Sequence, residues 1–231
     1  MRIVIFGATG RTGRHLVAQG VARGWTVLVA GRDEARLNEL NGIAGVARVD
    51  LADTSSVAAV LNGLKPQAIV STIGGAGPDA LLIDEIGNNA ISDAALACGV
   101  RRVLQVSSLA CGDSRAYASE RIVAAIGPVL DAKTRAEDHL RHSALDWTIV
   151  RPGGLTDGEP TGQGALYDDP RAHGRIARAD LATLLLDALA TPASIGRVLS
   201  AVDRSTLPAE PADIAEFDLA VAASASRAAT R

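Results

Sequence analysis

Gly7-Ala8-Thr9-Gly10-Arg11-Thr12-Gly13 follows the apolar run Ile3-Val4-Ile5-Phe6 and precedes a helical pattern that continues through Arg23. Such a loop can cradle a pyrophosphate. Its first glycine permits a tight turn, a backbone without bulky side chains lets the anion reach the amides, and the helix beyond offers unpaired N–H groups and the positive end of its dipole. The chain has 23 glycines, so the triplet alone would say little; strand, loop and helix in that order make it specific. About 20 residues further on, an acidic residue usually holds the adenosine ribose of NAD. Here Ala30-Gly31 is followed by Arg32, with Asp33 one residue late. A guanidinium at this point suits a 2′-phosphate, so NADP(H) is expected in preference to NAD(H). Arg11 and Arg14 flank the loop with further positive charge or lie on the helix surface. Asp50-Leu51 could set a carboxylate by the adenine or cap a helix. Ser71-Thr72-Ile73-Gly74-Gly75 again couples a strand end to glycines, so the backbone there can pass close to the ribose and nicotinamide half.

Other chemistries have weaker patterns. His139 and His142 lie one turn apart on a charged helix face with no third ligand at a fixed spacing, so no metal site is expected. Cys98 and Cys111, the only cysteines, match no zinc or redox spacing. No Gly-x-Ser-x-Gly nucleophile motif occurs. Asp168-Asp169 reads as a hydrated loop pair, and His173 as a loop residue that could touch a substrate.

These residues need elements to position them. Short β-type runs recur at 2–6, 26–30, 45–49, 68–72, 102–106, 148–150 and 198–202, with helical spacing between most of them, the pattern of a parallel sheet covered on both faces. Leu16, Val17, Gly20, Val21 and Gly24 share the inner face of the first helix, where Gly20 would let it sit close to the sheet. Asp53 or Thr54 can cap a helix that ends before Pro66, and a longer helix over 79–98 closes at Gly99. Residues 152–174, rich in Gly, Pro and Asp, are expected to form a loop at the sheet's carboxyl edge, where ligands bind. One domain is expected over 1–219, with substrate-side segments at about 109–130 and 153–176 and a frayed tail at 220–231.

Composition narrows the partners. A net charge of −3 gives no general basis for holding nucleic acid or an anionic membrane, so a small-molecule substrate is favoured. The apolar stretch around Leu184 falls far short of the roughly 20 residues that span a bilayer. Few cysteines and no signal-like segment before the first strand suit a reducing cytoplasm, with a monomer or homodimer expected.

The loop at 7–13, Gly31-Arg32-Asp33, Val106-Ser107-Ser108, Ala132-Lys133-Thr134-Arg135-Ala136-Glu137 and Val150-Arg151-Pro152-Gly153-Gly154-Leu155 together resemble the atypical short-chain dehydrogenase/reductases. Within them the likeness is to the NAD(P)H-binding group of biliverdin-reductase-B-like and NmrA-like proteins. The resemblance runs in order over about residues 1–200. It implies an α/β fold of Rossmann type, a doubly wound and mostly parallel sheet flanked by helices, with a small substrate-side region built from loops. It also implies a soluble NADPH-dependent reductase acting on a carbonyl, enone or quinone-like molecule, including ketoreductase activity. Flavin or biliverdin-type reduction, a non-catalytic NADP sensor, and an epimerase or dehydratase are the alternatives. An aromatic content of 3% leaves few stacking platforms for a flavin.

Carried over residue by residue, the resemblance assigns Lys133 to the nicotinamide ribose. It assigns Ser108, and after it Ser107, to the family's catalytic serine region. Pro152, Gly153, Gly154 and Leu155 fall on the stretch that passes the nicotinamide. The family's usual tyrosine stands four residues before the lysine, and here that position is Val129. Tyr117 is a candidate proton donor on the substrate side. The run 174–182 resembles the start of the family's late helix, where Asp180 is expected to cap or to pair with Arg178.

Overall fold

Ile3, Val4, Ile5 and Phe6 are buried on both faces of their strand, as a central strand between two helical layers requires. A computed structural model describes residues 1–74, 82–209, 211 and 213–220 of the chain. The elements run β1 (Arg2–Phe6), α1 (Arg11–Ala22), β2 (Thr26–Gly31), α2 (Glu34–Asn38), β3 (Gly45–Arg48), α3 (Thr54–Leu64) and β4 (Ala68–Ser71). A π-helical segment, Leu82–Gly87, leads into α4 (Asn88–Ala97), followed by β5 (Arg102–Val106), a 3-10 segment Gly112–Tyr117, and α5 (Glu120–Arg141). The chain continues with β6 (Asp146–Pro152), β7 (Gly154–Thr156), β8 (Gly164–Tyr167), β9 (Arg175–Ala177), α6 (Arg178–Ala190) and β10 (Arg197–Asp203).

The main sheet has the order β3-β2-β1-β4-β5-β6-β10-β8. All its pairings are parallel except β10 with β8. Strand order reverses between β1 and β4, and in doubly wound sheets the crevice at the carboxyl ends of such a pair holds the ligand. On one face α1 and α6 bury Leu16, Val17, Leu181 and Leu185 against Ile3, Ile5 and Val29. On the other, α3, α4 and α5 cover Val4, Phe6, Leu28 and Ile69 with Val57, Ile91 and Leu140. This is the Rossmann-type doubly wound α/β fold that the sequence implies.

Local signals act largely where they stand. Asp53 rather than Thr54 is the N-cap of α3, its carboxylate accepting from the Ser55 amide at 2.9 Å. Lys65 closes that helix in a left-handed conformation ahead of Pro66. Gly20 sits so close to the sheet that a Cβ there would lie 3.0 Å from Val27.

Three expectations are corrected. First, α1 ends at Ala22, so Gly24 lies in a left-handed turn at φ 72° and not on the helix face. Second, the stretch 152–174 is more than a loop, because it contains β7 and β8 and leads into β9. β7 pairs with β9 in a small parallel sheet, while β8 adds an antiparallel edge to β10. Strands of three or four residues are too short to show alternation, and their partners are distant in sequence. The region expected on the substrate side is therefore partly sheet, and also partly helix, since α5 begins at Glu120 and bends at Ile126 two residues before Pro128. Third, in the helix expected over 79–98 the described part is π-helical as far as Gly87. Its expected start and Gly75 lie outside the described residues, as do residues 221–231 of the expected tail.

Candidate cofactor trough and active site

β1 delivers the chain into a turn that only small residues can make. Gly7 has φ 84°, and a Cβ there would come within 2.7 Å of Thr72 Oγ1. The Gly10 amide donates to the Gly7 carbonyl at 3.0 Å, and a Cβ at Gly13 would collide with that same carbonyl oxygen. The helix thus opens directly behind the turn. Its N-cap is Gly10, with no side-chain cap, so first-turn amides remain for an anion. This cradle fits a pyrophosphate. The hollow over it, about 220 Å³, is walled by Gly7, Thr9, Gly10, Arg32, Leu51, Ile73 and Gly74.

From the cradle the trough extends in two directions. At its outer end lies a cavity of about 520 Å³ lined by Arg32, Arg48, Val49, Asp50 and Ser56. The register of β2 with β3 places Gly31 opposite Arg48, which brings two arginines to adjacent strand ends. Asp33 faces its own helix, accepting from the Arg36 amide at 3.2 Å as the N-cap of α2. Asp50 accepts from the Ala52 amide at 3.0 Å, so it holds its own turn while lining the cavity. Arg48 has no motif around it, and only pairing between strands could have singled it out.

In the other direction lies an inner cavity of about 410 Å³. It brings together Thr12, Thr72, Ile73, Gly74, Ser107, Ser108, Lys133, Pro152, Gly153, Gly154 and Leu155, residues drawn from five separate stretches of chain. The Lys133 ammonium meets the fully buried carboxylate of Asp84 at 2.6 Å. Asp84 belongs to the π-helical segment, and its carbonyl accepts from the Asn88 side chain, whose oxygen accepts from Ser71 Oγ at 2.7 Å. The Ser107 hydroxyl is buried with no hydrogen-bond partner. The Cys111 thiol lies near it, but thiols are weak partners, and burial holds that thiol protonated, above its ordinary range. A buried hydroxyl with only a weak neighbour, in the wall of a cavity, is suited to a ligand group.

Gly13 and Arg11 take other places. Gly13 is buried under the turn and serves its packing. Arg11 is exposed and pairs at 2.6 Å with Asp157, which also takes Arg178 at 2.6 Å. Arg178 is buried at the start of α6 and lines the inner cavity, so Asp157 ties the cradle to the wall opposite. The expected Asp180–Arg178 pair does not form. Asp180 accepts instead from the Thr161 and Gly162 amides at 2.8 and 3.2 Å, because Asp157 already holds Arg178.

Beyond the inner cavity opens an outer one of about 890 Å³, which includes Ser108, Leu109, Ala110, Tyr117, Ile122, Ile126, His173 and Arg175. Ser108, Pro152, Gly153 and Gly154 belong to the walls of both. Arg32 in the same way joins the 520 Å³ cavity to the cradle, and Thr72, Ile73 and Gly74 join the cradle to the inner cavity. The four hollows therefore form one continuous trough. Tyr117 stands half exposed on the outer cavity, whereas Tyr167 is buried in β8.

Helix α5 is fixed by a buried ion pair. Arg151 on β6 donates to Glu137 at 3.0 and 2.6 Å and also pairs with Asp113. Burial works against the Arg151 charge, but its hydrogen bonds to Glu137 and Asp113 outweigh it and hold the guanidinium above its ordinary range. Lys133 lies one turn before Glu137, so this bridge sets the depth of the lysine's helix.

Among the described residues no three His, Cys, Asp or Glu side chains converge as metal ligands, and no helix is long and apolar enough to cross a membrane. His139 pairs with Asp93 at 2.7 Å, Asp168 with Arg197 at 2.7 Å, and Asp169 with Arg171 at 2.6 Å.

Comparison with known proteins agrees with this geometry. The solved structure of ChuY, an anaerobillin reductase from Escherichia coli O157:H7, superimposes with a TM-score of 0.81 at 32% identity, over 90% of this chain and 100% of that one. An uncharacterized chloroplastic protein of Arabidopsis thaliana is 28% identical over 222 residues, 90% of this chain and 78% of its own. A Bacillus subtilis protein described as an uncharacterized sugar epimerase, YhfK, is 29% identical over 196 residues, 82% of this chain and 88% of its own. The profile of the NAD(P)H-binding family matches residues 7–192. The chain belongs to that family, within the atypical short-chain dehydrogenase/reductase group, and has its reductase-like Rossmann fold.

Proposed function

We propose that this protein is an NADPH-dependent reductase that passes hydride to a carbonyl, enone or quinone-like carbon of a small molecule held in the outer cavity. The observation that carries this reading is the wall shared between the inner and outer cavities, with Ser108 in it. A molecule in the outer cavity is there presented to whatever lies in the inner one. NADPH, when bound, supplies the hydride.

The chain's own residues supply the rest. First-turn amides of α1 and the glycine cradle bind the pyrophosphate. Arg32 and Arg48, neither engaged in an ion pair among the described residues, take a 2′-phosphate, and so favour NADP(H) over NAD(H). Lys133, aimed by Asp84, donates to ribose hydroxyls, and the buried Ser107 hydroxyl donates within the inner cavity. Ser108 donates to the acceptor oxygen and stabilises the negative charge that develops there. Tyr117 is the only Phe, Tyr or Trp among the described residues of the outer wall; its phenol returns a proton, and its isolation argues against stacking a flavin.

Val129 favours a second reading, an NADP-binding sensor, since it stands where the family's tyrosine would. One experiment separates the two. NADPH consumption is followed against quinones, enones and ketones, alongside titrations with NADPH and NADH. A reductase turns over at least one acceptor and loses about 100-fold in kcat/KM in Ser108→Ala. Tight NADPH binding with no acceptor consumed identifies the sensor. Equal affinity for NADPH and NADH, unchanged in Arg48→Ala, overturns the cofactor preference.

A further inference from the structure

The wall of the outer cavity is chemically one-sided. Leu109, Ala110, Ile122 and Ile126 give it an apolar part. Ile122 and Ile126 lie one turn apart on α5 and remain 46% and 43% exposed, an apolar surface that nothing in the described chain covers. Arg175 is cationic in the same wall, with His173 beside it. None of the described lining residues is Asp or Glu, although the chain carries 26 of them and a net charge of −3.

Arg175 also differs from its neighbours. Arg151, Arg171, Arg178, Arg197 and Arg204 all end on carboxylates. Arg175 makes its hydrogen bonds through the backbone: its amide donates to Thr206 Oγ1 at 2.8 Å, and its carbonyl accepts from that hydroxyl at 3.0 Å. Pairing of β9 with β7 sets it opposite Gly154, and its stem lies over that glycine in the wall shared with the inner cavity. Among the described residues its guanidinium meets no carboxylate. Beside it, His173 donates Nδ1–H to the Arg171 carbonyl at 2.7 Å, which leaves Nε2 as the free nitrogen. An anchored arginine without a partner, in an acid-free wall next to open apolar surface, is arranged for an anion attached to an apolar body.

We propose that the outer cavity selects amphipathic anions: an apolar body packs on Ile122 and Ile126 while one carboxylate or sulfonate group is held by Arg175. As a statement about substrate, this rests on the reading of the cavity as the acceptor site. As a statement about binding, it is measurable without turnover.

The test uses two fluorescent probes with one aromatic body, anilinonaphthalene sulfonate and the uncharged phenylnaphthylamine, titrated into the NADPH-saturated full chain at low ionic strength. The expected result is that the sulfonate binds about fivefold more tightly than the neutral probe, a modest gain because the guanidinium is exposed. Arg175→Gln abolishes that preference and leaves the neutral probe unchanged, Arg175→Lys keeps most of it, and Ile126→Ser weakens both probes. A preference that survives Arg175→Gln, or no preference in the unaltered chain, overturns the proposal. Failure to bind NADPH in the same titrations would instead overturn the reductase reading, so the two failures are told apart.

Discussion

Lys133 owes its position to a residue far away in sequence. An ammonium on a flexible stem is a poor positioning device by itself, and here it is aimed by the carboxylate of Asp84, which is buried while the lysine keeps 15% of its side chain exposed. Asp84→Asn keeps the volume and removes the charge. Its expected effects are a loss of about 2 kcal/mol in stability, below the cost of breaking a fully buried pair because Lys133 can still reach water, and clearly weaker NADPH binding. Asp93→Asn, which removes the exposed partner of His139, should leave NADPH binding unchanged. Denaturant melts and fluorescence titrations of both variants check this. The same pair marks a limit of reading residues in a row. Lys133 is found from its own neighbours by resemblance, whereas no spacing connects it to Asp84. Arg48 is likewise silent until β3 is laid beside β2.

Elements announce themselves when their signals are local. The seven strands expected from apolar runs all occur, within a few residues at each end, because each central strand is a continuous buried run. The start of α3 is narrowed to Asp53 or Thr54 and its end to the residues before Pro66, and its two caps can be tested in opposite directions. Asp53→Ala removes the acceptor for the Ser55 amide and should lower stability. Lys65→Gly relieves a left-handed backbone at φ 47° and should gain about 0.5 kcal/mol, since part of the relief is offset by the greater freedom of glycine in the unfolded chain. Chemical denaturation of the two variants side by side checks both signs. The ribbon of β7 and β9, the edge strand β8 and the π-helical turn are among the elements that escape, since so short a strand exists only through its partner. Those same elements hold Arg175 and Asp84, so the least legible parts of the fold carry much of the candidate site.

The chain as a whole depends on carboxylates held in the charged form. Asp53 is held below the usual range by hydrogen bonds from Ser55, Asp169 by those from Arg171, and Asp203 by those from Ser205 and Thr161. Each is more acidic folded than unfolded, so its contribution is complete above the unfolded value of about 4 and is lost as pH falls through the folded value. The melting temperature should therefore be level from neutral pH down to about 5 and fall below about 4. In Asp203→Asn the acid-side fall should be shallower. Thermal melts across that range decide it, and a fall that begins near neutral pH would contradict the assignment.

The wall common to the inner and outer cavities has a kinetic meaning under the proposed reduction. Ser108, Pro152, Gly153 and Gly154 cannot enclose an acceptor by themselves, because on their far side lies the inner cavity. What fills that cavity becomes the floor of the acceptor site. The proposed reduction therefore predicts a compulsory order: the dinucleotide enters first and leaves last, and the acceptor finds a finished site only in between.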